Sequence, residues 1–351
     1  MTTRVGHFAG RAGVICDVGP HVGVGHAFRS ASMAEELISR GWHVEFACSA
    51  EAVPLARSRL RQLSCRVVAG LVSAADHLAW MRSSELDAVV IDSYSLPSDV
   101  SASILRRVPV LAFVDGSARG QSASLYVDQN FGAEARSWPW PEVPEPLAQV
   151  LAGTDFAIVA DAVRSLRPAN VSCAESASRV VISLGGTDAA GLTKHVVDAV
   201  MACDMGVDAL VVSPGSDQIS GHVVQTGSVR VECVEPDLDF PALLASADAV
   251  ISAAGTTLWE ICCLGKPAAS LALADNQVGA YAALASAGVV FGLGDYSGSK
   301  PELGPLAERI AHFISNGKLR DRLANAAYGV VDGAGRERVA DAFSAQVAAS
   351  I

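Results

Sequence analysis

The chain has 351 residues, enough for two domains at roughly 100–200 residues each, and half of it (50%) is apolar, so sizeable cores can form. Charged residues make up 18%, below the roughly 25% of an ordinary soluble protein, and this apolar balance excludes a disordered chain. The net charge is −11, from 26 Lys and Arg against 37 Asp and Glu; without a basic cluster to neutralise phosphates, neither nucleic acid nor an anionic membrane surface is expected as a partner.

The opening residues are too short in apolar content and too broken by glycine for a signal peptide. No apolar run approaches the ~20 residues of a membrane span, so no integral membrane segment and a cytoplasmic setting are expected. Strand and helix patterns then alternate: strand 14–17, helix 27–40, strand 43–48, helix 55–63, strand 88–91, helix 98–107 and strand 110–114. Residues 136–150 hold four prolines, which argues against both a helix interior and a central strand there. The small polar residues 166–178 read as a linker between a domain over 1–165 and a second over 179–332. The second half repeats the pattern: strand 180–184, helix 191–202, strand 209–212, helix 240–245, strand 249–252, helix 257–263 and strand 268–272. Residues 333–351 carry a helical period (Val339, Phe343, Val347) and are expected to cross back to the first domain. Alternation of this kind predicts an α/β chain of two Rossmann-type, doubly wound parallel domains. The eight cysteines contain no C-x-x-C pair, so no zinc or redox site is read; Cys262 and Cys263 fit buried thiols in an apolar helix.

Ligands of such sheets bind beyond the carboxyl ends of strands, where turns enter helices. The first such turn is Gly19-Pro20-His21-Val22-Gly23-Val24-Gly25-His26-Ala27-Phe28-Arg29. A helix start there would disfavour imidazolium and keep His26 neutral, the form a general base needs; the alternative is a histidine that caps the turn. The spacing lacks the dinucleotide G-x-G-x-x-G pattern. The second turn, Ser183-Leu184-Gly185-Gly186-Thr187-Asp188, lets backbone approach a phosphate but lacks the Lys of a Walker A loop, and it reads equally as a glycine turn. In the third, Ala254-Gly255-Thr256-Thr257-Leu258-Trp259-Glu260, either threonine fits a helix cap or a phosphate ligand. Glu260 suits ribose hydroxyls or a solvated helix face, and Asn276 and Gln277 follow a buried strand. Asp92-Ser93-Tyr94 ends a strand of the first domain, where Asp92 serves a site or a turn; Asp115-Gly116 and Asp128-Gln129-Asn130 are equally two-sided.

Taken in this order, the motifs resemble the UDP-sugar hydrolases of pseudaminic acid biosynthesis, a pattern shared with spore-coat polysaccharide glycosyltransferases, over about residues 14–295. The resemblance implies a glycosyltransferase-B-like fold, two Rossmann-type domains facing a deep cleft, with no metal and no cofactor. It makes His26 the base that activates water and places Tyr94 and Asn276 at the sugar and water site. Gly186, Thr187, Gly255, Thr256, Thr257 and Glu260 fall on the nucleotide-diphosphate side, with Gly25, Arg29, Asp92 and Gln277 also expected on substrate. The implied substrate is a UDP-sugar or related NDP-sugar, and the implied reaction is attack of water on the anomeric carbon with loss of UDP. The alternative is a glycosyltransferase of the same fold, in which His26 deprotonates a small-molecule or polysaccharide acceptor. The chain departs from the hydrolases at Phe113-Val114-Asp115-Gly116, where they carry paired aspartates, and at Val159-Ala160-Asp161, where they tend to carry an arginine.

Overall fold

A computed structural model describes residues 10–19, 22–137, 148–188, 190–213 and 223–350. The chain divides into unit 1, Met1–Ile158 with Ala334–Ile351, and unit 2, Val159–Gly333.

Unit 1 runs β1 (Arg11–Cys16), α1 (Gly25–Ser39), β2 (His43–Ala47), α2 (Pro54–Gln62), β3 (Arg66–Val68), α3 (Ala74–Ser83), β4 (Ala88–Asp92), α4 (Ser98–Leu105), β5 (Val110–Phe113), β6 (Leu125–Asp128) and β7 (Gln149–Ala152). These strands form one sheet in the order β3-β2-β1-β4-β5-β6-β7, parallel throughout. Helices cover both faces of such a sheet, and β4 accordingly is buried along its whole length. The strand order reverses between β1 and β4, so the loops leaving these two strands diverge to opposite faces and open a crevice at their carboxyl ends.

Unit 2 runs α5 (Asp161–Arg164), β8 (Arg179–Ser183), α6 (Thr193–Ala202), β9 (Asp208–Val212), β10 (Val223–Thr226), β11 (Val229–Val234), α7 (Phe240–Ser246), β12 (Ala249–Ala253), α8 (Thr257–Cys263), β13 (Ala268–Ala272), α9 (Asp275–Ser286), β14 (Phe291–Asp295), α10 (Leu303–Ser315) and α11 (Gly317–Val330). Its sheet order is β10-β11-β9-β8-β12-β13-β14, parallel except for the β10–β11 hairpin. The order reverses between β8 and β12, which makes the ends of those strands the second crevice.

The last helix, α12 (Gly335–Ala348), belongs to unit 1. Val339, Phe343 and Val347 are buried in its core, and Phe343 stacks on Trp42 with ring centroids 6.2 Å apart. Full burial of side chains of this size stabilises a fold by about 1.5–3 kcal/mol each. Gly335 permits the approach, since a Cβ there would collide with the Ala157 carbonyl oxygen.

The expected linker over 166–178 is instead tied into unit 2, and the change of unit falls earlier, between Ile158 and Val159. Arg167 donates to the carbonyls of Cys263, Tyr328 and Val331, and its guanidinium stacks on Tyr328. The Tyr328 hydroxyl donates to the Pro168 carbonyl, and Asp248 accepts from Ser178 and Arg179. Of the proline-rich stretch, residues 138–147 lie outside the described residues; Gln149 already begins β7, which among the described residues pairs only with β6, at the edge of the sheet. Pro20 and His21 of the first turn also lie outside them. Among the described residues, no helix is long and apolar enough to cross a membrane. Cys262 and Cys263 are buried in α8, where burial pushes the Cys262 thiol up to about 12.

Candidate functional site

In unit 1 the reversal point carries charged side chains. His26 lies in the first turn of α1, directly after the loop from β1, and its Nδ1 is 2.6 Å from Asp92 Oδ1 at the end of β4. Arg29, one turn further along α1, donates from Nε to Asp92 Oδ2 (2.8 Å) and from Nη2 to Oδ1 (2.6 Å), a bidentate pair. Ser30 adds a hydroxyl at 3.3 Å. Helical spacing of three residues is what lets His26 and Arg29 reach the same carboxylate.

Burial on its own would raise the Asp92 carboxyl, but Arg29 and His26 hold it well below the usual carboxylate range. An ionised carboxylate only accepts hydrogen bonds, so the proton between the pair sits on His26 Nδ1, which leaves Nε2 as the nitrogen that can carry a lone pair for a base. The His26 side chain is 12% exposed and that of Asp92 0%. Asp92 and Arg29, both expected on substrate, are instead buried beside His26, their side chains 0% and 3% exposed and paired with each other. The capping alternative for His26 is not what the side chain does, because its nitrogen meets a carboxylate and not the backbone.

Tyr94 packs edge-on against His26, ring centroids 4.6 Å apart, and its hydroxyl donates to Asp115 just beyond β5. Burial, together with the Asp115 charge, pushes the phenol up to about 12, so Tyr94 remains a donor at neutral pH. Asp115 also accepts from Asn130 Nδ2 (3.3 Å) and lies 3.7 Å from Arg29 Nη1. Asp128 anchors the same loops through the Gly116 and Asn130 amides. The turn-forming aspartate of this region is Asp17, which accepts from the backbone of Tyr94 and Ser95 and from the Ser93 hydroxyl. Asp17, Asp92, Asp115 and Asp128 each sit at or within two residues of the end of a strand, a repetition visible in the sequence. Arg119, stacked 3.5 Å from the Tyr94 ring centroid, carried no such signal.

In unit 2 the reversal point is built from small residues and main chain. Gly185 (φ +108°), Gly186 and Thr187 leave β8, and Asp188 turns back so that its carboxylate accepts from the amides of Leu192 (3.2 Å) and Thr193 (3.4 Å). That carboxylate takes the place an anion would have at the start of α6. The start of α8 is different: Thr256 is its N-cap residue but makes no side-chain cap, so capping does not explain it. Thr257 opens α8 and Glu260, half-buried, lies in its first turn. A Cβ at Gly255 would lie 3.8 Å from Gln277 Nε2, which places the starts of α8 and α9 side by side. Gln277 Oε1 accepts from the Leu273 amide (2.9 Å) and so locks the turn into α9, while Asn276 is exposed beside it. Gly186, Thr187, Gly255, Thr256, Thr257, Glu260, Asn276 and Gln277 thus all lie at the carboxyl edge of the unit 2 sheet, whereas Gly25, His26 and Tyr94 lie at that of unit 1. Among the described residues, no group of three His, Cys, Asp or Glu is arranged to hold a metal ion.

No family model matches the chain. It is 23% identical over 342 residues to the spore coat polysaccharide biosynthesis protein SpsG of Bacillus subtilis (strain 168), covering 93% of this chain and 96% of that protein. Among solved structures it is similar to MurG of Acinetobacter baumannii, with a TM-score of 0.66, 15% identity, and 95% and 99% of the two chains covered. It is also similar to the spinosyn rhamnosyltransferase SpnG, with a TM-score of 0.65, 15% identity, and 94% and 100% covered; SpnG is solved as well in complex with thymidine diphosphate. The chain shares the glycosyltransferase-B-like fold of these structures.

Proposed function

We propose that this chain moves a sugar from a nucleoside-diphosphate donor to a hydroxyl- or amine-bearing acceptor, with His26 as general base. The observation that carries the reading is the His26–Asp92–Arg29 set at the reversal point of a parallel sheet. Asp92 fixes the imidazole so that Nε2 points its lone pair away from the carboxylate, and Arg29 keeps Asp92 ionised. As the acceptor oxygen or nitrogen bonds to the anomeric carbon, its proton passes to Nε2. The bond from that carbon to the phosphate oxygen breaks, and its electron pair leaves with the nucleoside diphosphate. Placement of the base within hydrogen-bond reach contributes about 10²–10⁴-fold to such a step.

The diphosphate falls to unit 2. The amides of the Gly185–Thr187 loop and of the uncapped α8 start are the donors suited to a developing pyrophosphate charge, and Glu260 and Gln277 suit ribose or sugar hydroxyls. α6 is left out because Asp188 fills its amino end.

Water as acceptor is the second reading, favoured by the motif resemblance, and the same base would serve it. SpsG is named for polysaccharide biosynthesis and SpnG for rhamnosyl transfer, which supports a second sugar or small molecule over water. Nucleoside-diphosphate release from a panel of UDP- and TDP-sugars, followed with and without saccharide and small-molecule acceptors, separates them. Transfer predicts release that depends on acceptor. Release with free sugar and no acceptor establishes hydrolysis, and binding without turnover under every condition contradicts both.

A further inference from the structure

Arg119 is absent from the chemistry above, yet its setting is unusual. It sits in the loop after β5 with φ +49°, a left-handed conformation that side-chain-bearing residues rarely adopt and that clusters at functional sites. Its amide donates to Ser117 Oγ (3.2 Å), and the next turn closes with Gln121 N donating to the Ala118 carbonyl (2.8 Å). Held this way, the exposed guanidinium lies over the Tyr94 ring, 3.5 Å from its centroid, and that ring packs edge-on against His26.

The carboxylates nearby are engaged elsewhere. Asp92 is taken by Arg29 and His26, Asp115 by the Tyr94 hydroxyl and Asn130, and Asp17 by Ser93, Tyr94 and Ser95. Among the described residues none forms an ion pair with Arg119. A guanidinium stacked by its face presents its N–H fork at its edge, the geometry that binds carboxylate or phosphate through two parallel hydrogen bonds.

We propose that Arg119 is a specificity residue that receives an anionic oxygen group, a carboxylate or phosphate, on the substrate whose reacting group meets His26. The link to a reacting group rests on the transfer reading; the anion contact does not. The two are separable by a chemical footprint that needs no turnover. Phenylglyoxal modification of Arg119 is followed by peptide mass spectrometry at constant ionic strength, with Arg106, exposed in the same unit, as internal control. The probes are matched pairs: glucuronate and methyl glucoside, phosphoglycerate and glycerol, UDP-glucuronate and UDP-glucose.

At least one anionic member is expected to slow Arg119 modification about tenfold relative to its neutral partner, the scale of one bidentate charged contact, with Arg106 unchanged. Protection by the free acids places the charge on the acceptor, and protection by UDP-glucuronate alone places it on the donor sugar. Arg119→Gln should weaken binding of the protecting probe about tenfold, to the level of its neutral partner, and Arg119→Lys should restore part of it. Equal rates within all three pairs, or equal protection of Arg106, overturn the proposal. Protection in a protein that binds no UDP would leave the anion contact standing while the transfer reading fell.

Discussion

Units 1 and 2 are both seven-stranded sheets with a reversal of strand order, yet they equip that point in opposite ways. Unit 1 fills it with ionisable side chains, four aspartates at strand ends against Arg29, Arg119 and His26. Unit 2 lines it with Gly, Ser and Thr, and Asp188, the acidic side chain of its first loop, is occupied with backbone amides. On the proposed function the difference matches two tasks. Moving a proton requires a titratable group whose orientation is fixed by charges shielded from water, whereas holding a diphosphate requires close backbone approach and open N–H groups. On that proposal one architecture supplies two kinds of chemistry through the residues at its strand ends.

The largest effect that would break this contrast lies at Asp92. Asp92→Ala leaves Arg29 charged and buried without its bidentate partner, only the more distant Asp115 remaining, a change that typically costs about 3–5 kcal/mol of stability. It also frees the His26 ring, so turnover should fall by about 10²–10⁴-fold. Because the stability loss could account for lost turnover, Asp92→Asn, which keeps the side-chain volume, is assayed beside it well below each variant's unfolding temperature: turnover still down in folded protein separates positioning from folding. Next comes unit 2. Gly255→Val has room for its Cβ but sets methyl groups before the Gln277 amide, and UDP affinity should weaken about tenfold, or 1.4 kcal/mol. Calorimetric titration checks it, and unchanged affinity would move the nucleotide away from the start of α8.

The smallest effect is in the acid limb of stability. The folded Asp92 carboxyl is held below its unfolded value of about 3.9, so it stabilises the fold above that pH and the contribution is lost as pH falls through the lower folded value. Asp92→Asn should therefore show a shallower loss of denaturant stability between about pH 5 and 3 than the parent chain. An unaltered slope would mean that Asp92 is not held as the Arg29 geometry requires.

Much of the fold is legible in the residues. β1, β2, β4 and β5 in unit 1, and β8, β9, β12 and β13 in unit 2, are short apolar runs followed by turn residues, and the helices α1 and α8 begin where the glycines end. The strands that are not legible have physical reasons. β3 is three residues long and opens with Arg66, too short for any period, and β14 is interrupted by Gly292 and Gly294. The 166–178 stretch has the composition of a linker but is held by Arg167 and by carbonyls that no local pattern reveals. At the site, His26 was readable from its glycine-rich helix start, and the unit 2 glycines from their positions after strands. Asp115 was not, because an aspartate after a strand is as good a turn former as a ligand until Tyr94, from another loop, meets it. Arg119 lay further out of reach still, since its signal is a backbone conformation and a stack.

The central claim is that proton transfer resides in unit 1 and nucleotide binding in unit 2. His26→Gln tests it in one preparation, by measuring single-turnover release of nucleoside diphosphate and the UDP dissociation constant together. The account predicts a rate lower by about 100-fold or more, with UDP affinity equal to that of the parent chain. A parallel loss of both, or an unchanged rate, would contradict it.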